Sequence, residues 1–496
     1  MTICLETSLT WPEVAKVAAG EQLDLSDAAW QRVARGRDLI LAILARGARA
    51  YGVNTGVGAL SEVVIAPQAQ SALSHHLLFS HAAGCGLPLD KDVVRAIMAV
   101  QVNNLAHGCS GVRQEIVRLI LALLQADHIP VVPSQGSIGY LVHLAYIGLV
   151  LIGEGQVDLQ GQILPGAAAL AALGAPPLVL EAKEGLSLIN GTACATGMAC
   201  AALARLARLL DVADVVAALS FASLGARLDA FDPQIMALRQ SVGAEMVARR
   251  MTALLQDDPL LTARSSSRVQ DALSLRATPH AHGAMHDCLA MAGDVVNREL
   301  MAVTDNPILL GEPDAPRIAS QAHAVAPLLA TMLDMLAVSV TQLSAISERR
   351  LDRLVNPLVS GLPPFLAQEA GTYSGYMIAQ YMALGLMAEN RRLAAPASLD
   401  GGVSSGLQED FIVHPTPSAL KLLTILENTE RILGTELLAA TDAYELSHLP
   451  AQRAGQVAQV YDQIRSRVSR YAEDKPIGEH LHAGMMLVRT GGITLP

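Results

Sequence analysis

Aromatic bulk and charge are both scarce in this chain. Two Trp, five Phe and nine Tyr make up 3% of 496 residues, and Asp, Glu, Lys and Arg together reach only 16%, against 51% hydrophobic residues. An interior with so few rings is filled by Ala, Leu, Val and Ile, which favours packed helices buried on most sides. The six cysteines, at 4, 85, 109, 194, 200 and 288, form neither a C-x-x-C pair nor an even ladder. A disulfide scaffold is thereby excluded, and reduced, mostly buried thiols are expected. His75-His76 and His280-x-His282 have no matching acidic or cysteine cluster, so no metal site is expected. The formal net charge of -11, without a Lys/Arg run interleaved with aromatics, argues against nucleic acid as a partner. The opening MTICLETSLTWPEVAKV lacks a basic n-region and an apolar h-region, so a cytoplasmic location is expected. The apolar stretch Ala324–Ile346 contains Asp334 and several Ser and Thr residues, and reads as a core helix with no membrane partner.

What is abundant is apolar residues at helical spacing. They run through Val93–Asn104, Val117–Ala126, Leu141–Ile152, Ala193–Leu219, Leu328–Leu351, Tyr376–Leu393 and Ala419–Tyr444. Gly and Pro separate these runs, as in Pro133–Gly139 and Leu362-Pro363-Pro364. Gly153–Gly166 has the composition of a small hairpin. The length suggests one large or two fused units. A division into 1–180, shorter helices with polar loops, and 181–496, a long-helix bundle, fits the pattern. So apolar a composition also suggests that the chain hides further surface in an oligomer.

Eleven local strings carry a resemblance. In order they are Tyr51–Gly58 (YGVNTGVG), Ser80–Gly84, Asn103–Arg113 (NNLAHGCSGVR), Lys183–Thr192 (KEGLSLINGT), Val269–Asp271, Ser274–Arg276, Ala302–Pro307 (AVTDNP), Ser347–Arg350, Leu362–Leu366, Ser374–Gln380 and Gln408–Asp410. Together they resemble the aromatic amino-acid ammonia-lyase family, its histidine branch above all. The resemblance implies a mainly α, fumarase/aspartase-like architecture: a long central helical bundle with a smaller mixed N-terminal region. It implies a carbon–nitrogen lyase that eliminates ammonia from an L-aromatic amino acid, histidine or a histidine-like substrate first and tyrosine second, to give the trans-α,β-unsaturated (urocanate-type) acid. It further implies a homotetramer whose sites combine residues of more than one subunit.

The family's electrophile is a 4-methylidene-imidazol-5-one (MIO) that an Ala-Ser-Gly triad makes by cyclising on itself. The triad is expected between Gly139 and Tyr140, where this sequence passes from Gly136-Ser-Ile-Gly139 straight to Tyr140-Leu-Val-His-Leu-Ala145. Either the triad exists as a matured residue that the sequence does not spell out, or the chain lacks it; the in-register flanks favour the first. An electrophile is useful because ammonium is a mediocre leaving group and the β-proton is weakly acidic, so an electron sink eases the step. Gly139 and Tyr140 would flank the group, and Asn190 resembles the residue that hydrogen-bonds near it.

Tyr51 is the candidate base for the β-proton. A phenol titrates near pH 10, so a positive local field is expected to lower it, and Gly52, Gly56 and Gly58 suggest a loop able to close. Arg276 suits a carboxylate, because its planar fork meets two oxygens at once. By resemblance, Asn306 is a second anchor, Gln270 hydrogen-bonds near the site, and Glu409 holds the amine or shuttles a proton. His81 favours a ring with a hydrogen-bonding atom, and Met377 matches the histidine-type pattern. Tyr140, Leu273, Met301, Tyr373, Leu407 and Phe411 depart from the family pattern, and Ser320-Gln-Ala-His323 stands where it has Gly-Gly-Asn-Phe. An aminomutase using the same electrophile, and a non-catalytic helical scaffold if the triad is truly absent, are the alternatives.

Overall fold

The computed structural model describes residues 2–259, 261, 269–399 and 401–493. Helix dominates, as the apolar spacing predicts. The chain forms two compact units, each assembled from three stretches of sequence.

The first unit comprises Met1–Ala204, Gly293–Asp334 and Pro396–Leu420. Its helices include Gln70–His81, Lys91–Ala106, Gln114–Gln125, Val142–Leu151 and Glu184–Ile189. Every residue from Val93 to Ala106 is buried, so this helix is surrounded on all sides. Two of its polar members are well paired: Asn103 accepts from Leu9 N at 2.7 Å and donates to Leu300 O at 2.7 Å, and Arg95 donates to Val17 O and Leu124 O. Such pairing makes burial of polar groups tolerable.

Small sheets stitch the loops. Thr2–Leu5 pairs in parallel with Gln22–Leu25, and Cys85–Pro88 pairs antiparallel with Pro133–Gln135. The expected hairpin is Gln156–Leu159 with Gln162–Pro165, joined by Ile129–Pro130 as a third strand. Ile308–Glu312 and Ala315–Ala319 form a further hairpin. All six thiols are free, but only Cys194 and Cys200 are buried. The expectation of mostly buried thiols fails at Cys4 and Cys85, which lie in strands of two-stranded sheets and are exposed.

The second unit comprises Arg205–Ala292, Met335–Ala395 and Lys421–Pro496. It contains most of the long helices Ala193–Leu224, Thr278–Met301, Pro327–Val355 and Pro415–Ser447. Its interior holds a buried carboxylate, Glu436, which accepts from Ser220 Oγ (2.7 Å), Ser347 Oγ (2.6 Å) and Arg350 Nε (2.6 Å). Nearby, His282 Nδ1 lies 2.8 Å from Asp214 Oδ1, with both side chains fully buried. Pro327–Val355 is long and apolar enough to cross a bilayer by composition. Its buried Ser347 and Arg350 are engaged by Glu436, which makes it the core helix expected from its polar residues.

Candidate active site

In the first unit, the helices Gln70–His81, Val142–Leu151 and Glu184–Ile189 pack on one another. Glycines permit the approach: a Cβ on Gly185 would collide with the Ser74 backbone, and one on Gly148 would lie 2.7 Å from Leu78 Cδ2. The helix ends carry candidate residues. His81 closes the first helix, Tyr140 and Leu141 precede the second, and Asn190 caps the third. Leu141 N donates to Ile189 O at 2.9 Å, which ties the start of one helix to the end of another.

Tyr51 is half-buried, and its hydroxyl accepts the Gly58 N–H at 2.9 Å. Gly58 sits at φ +55°, and a Cβ there would collide with Ser405 Oγ. Ala59 N donates to that same Oγ at 3.3 Å. The Tyr51 loop is thus clasped to the loop that carries Glu409, and Ser405, which no sequence motif singled out, is the clasp. The glycines of the loop serve close approach rather than slack. A Cβ on Gly52 would strike Leu186, and one on Gly56 would strike Leu60.

Tyr140 donates its hydroxyl to Glu409 Oε2 at 2.8 Å. Glu409 is held by an exchange of backbone bonds with Ser404 (2.9 and 3.3 Å). Burial pushes the Tyr51 phenol above its ordinary 10.0; the Gly58 N–H opposes the rise and the Glu409 charge adds to it. A positive field that lowers Tyr51 is expected from the sequence, and the structure supplies the opposite, because the nearby charge is the Glu409 carboxylate. Tyr140 is held well above the ordinary phenol range, first by burial and then by its bond to Glu409. Both rings therefore keep their protons at neutral pH.

Asn190 Nδ2 donates to Asn306 O at 2.7 Å, and its Oδ1 accepts Gly191 N at 3.0 Å. Asn306 Oδ1 in turn accepts Gln321 N (2.8 Å) and Ser320 Oγ (3.3 Å). Next to it, Lys183 and Asp305 form a fully buried ion pair at 2.8 Å. His81 Nδ1 donates to Leu77 O at 2.8 Å, so the neutral ring presents Nε2 as an acceptor.

Three candidates belong to the second unit. Gln270 and Arg276 line a cavity with Arg227, Asp271 and His280, and Arg276 Nε donates to Asp271 O at 3.0 Å. Met377 begins the Met377–Leu393 helix and is partly exposed. The structure brings together Tyr51, Tyr140 and Glu409, and separately Asn190 with Asn306 and Gln270 with Arg276.

The sequence profile described as "Aromatic amino acid lyase" matches residues 9–466. The chain belongs to the aromatic amino acid lyase family. It is 38% identical over 489 residues to the histidine ammonia-lyase of Natranaerobius thermophilus, covering 98% of this chain and 96% of that protein. Among solved structures, the histidine ammonia-lyase from Trypanosoma cruzi matches with a TM-score of 0.90 at 33% identity, over 99% of this chain and 94% of the other. The tyrosine aminomutase from Streptomyces globisporus matches with a TM-score of 0.92 at 29% identity, over 99% and 97%.

The residues this aromatic amino acid lyase has at the expected prosthetic-group position do not fit an MIO. Gly139 joins Tyr140 directly. A Cβ on Gly139 would lie 2.9 Å from Pro415 Cγ, so the space beside it is filled. Both polar atoms of the Asn190 side chain are engaged by backbone.

Proposed function

We propose that this chain is a carbon–nitrogen lyase that eliminates ammonia from an L-aromatic amino acid, histidine first and tyrosine second, leaving the trans-α,β-unsaturated acid. The observation that carries this reading is the clasped Tyr51 loop beside Glu409, in a chain of this family whose relatives include histidine ammonia-lyases. The elimination needs a base for the β-proton, a partner for the amine and an anchor for the carboxylate. Tyr51, Glu409 and Arg276 take these parts. His81 Nε2 accepts from the substrate ring, Gln270, Asn306 and Met377 bound the pocket, and Asn190 fixes the Asn306 backbone. The working assembly is a cytoplasmic homotetramer whose active sites combine residues of more than one subunit.

The test is a purified-protein assay with L-histidine, L-tyrosine and L-phenylalanine that follows ultraviolet absorbance of the conjugated acid and release of ammonia. Histidine is expected to turn over fastest. Absence of product with all three removes the proposal in favour of the second reading, a non-catalytic scaffold, which the direct Gly139–Tyr140 junction favours.

A further inference from the structure

We infer that this chain makes no electrophile from its own backbone, and that its Gly139–Tyr140 junction is a closed connection sealed by the Tyr140–Glu409 bond. The inference deepens the lyase reading and rests on it for the reaction described below.

The backbone geometry and the local sequence support closure. The chain reverses at Leu141, at φ +74° and ψ -71°, with Val142 N donating to Tyr140 O at 3.0 Å. This is a γ-turn with a positive φ at a branched side chain, a conformation costing about 1–3 kcal/mol. It persists because both sides are fixed: Leu141 N bonds Ile189 O, Thr416 N bonds Ile138 O at 3.3 Å, and Ser137 Oγ donates to Tyr140 O at 3.1 Å. The flanking serines are also wrong for ring closure. An imidazolone forms when the amide nitrogen after a serine attacks the carbonyl before it, which favours an unhindered glycine there. Ser134 is followed by Gln135, and Ser137 by Ile138.

A Ser-Gly pair does occur in the cluster, at Ser405-Gly406. Its serine hydroxyl is the one that Ala59 N bonds, so dehydrating it would open the clasp on the Tyr51 loop. The side chains present support a different elimination. Tyr51, acting as its phenolate, takes the β-proton, and the C–H electron pair becomes the Cα=Cβ bond. The C–N pair departs with nitrogen, and an amine bound as ammonium leaves as neutral ammonia. No covalent amine adduct forms and no co-reactant is consumed.

Intact-mass measurement of the full-length protein, peptide mapping across Gln135–Ile147, and incubation with borohydride or a small thiol test the inference. The expected mass is that of the unmodified 52.1 kDa chain, with or without its first Met, with Gly139 bonded directly to Tyr140 and no change on nucleophile treatment. Extra mass equal to Ala-Ser-Gly less two waters at the junction overturns it. So does a deficit of two waters mapped to Ser404–Gly406, or a nucleophile adduct on the backbone. These readouts are independent of turnover. An unmodified but inactive protein counts against the lyase reading alone, and an active protein carrying the cyclised triad counts against this inference alone.

Discussion

The Tyr140 hydroxyl and the Glu409 carboxylate meet at 2.8 Å although 269 positions separate them in the chain. Because the same carboxylate also raises the Tyr51 phenol, one charge biases two rings toward their protonated forms. A base that must lose its proton to act, and whose pKa lies above 10.0, gains activity as pH rises through the alkaline range. Glu409→Gln removes the charge but not the burial. Both phenols should then titrate at lower pH, still above the ordinary value, as read by tyrosinate absorbance. An unchanged titration would separate Glu409 from Tyr51 electrostatically.

Tyr51→Phe deletes the proposed base and keeps the ring. Its acceptor for the Gly58 N–H is lost, at a cost of about 1 kcal/mol. Turnover should fall by about 10²–10⁴-fold while circular dichroism and oligomeric state stay as in the parent. Activity within a factor of a few of the parent would remove Tyr51 from its role.

Lys183 and Asp305 are paired with neither side chain exposed. Lys183→Met leaves a buried carboxylate without its cation, and should cost about 3–5 kcal/mol in denaturant unfolding. Adding Asp305→Asn should recover part of that loss, since Asn retains an oxygen for the Asn306 N–H bond. A double variant no better than the single one would show that the pair is not what stabilises this corner.

Gly58→Ala places a methyl against Ser405 Oγ in a left-handed conformation. The loop must shift, so turnover should drop by roughly tenfold or more with only a modest change in thermal midpoint, as expected of a misplaced reacting group. Ser405→Gly in the same background removes the collision but not the backbone cost, so partial rescue is expected. Rescue to full activity would assign the whole effect to the collision.

The long helices were legible because apolar residues recur at helical spacing over many turns; Lys91–Ala106 and Pro327–Val355 extend the predicted spans only slightly at each end. The hairpin at Gln156–Pro165 was legible from its Gly and polar punctuation. The parallel pair Thr2–Leu5 with Gln22–Leu25 was not, since strands of four residues carry too little alternation. Within the candidate site, Tyr51 and Glu409 were legible as motif members. Their electrostatic relationship was not, because it depends on which loops touch. Ser405 carries no signal of its own in Ser-Ser-Gly-Leu, and only the fold shows that its hydroxyl meets Gly58 and Ala59.

Glu436 gathers Ser220, Ser347 and Arg350 from two other helices onto one carboxylate. A helix displaced by a single turn moves about 5.4 Å along its axis, far enough to leave that anion bare in an apolar interior. The contact acts as a registry pin for helices that apolar packing alone would let slide. Sequence drift at these four positions must therefore be concerted, and a solitary change at any of them should be rarer among viable variants than changes in the leucines around it.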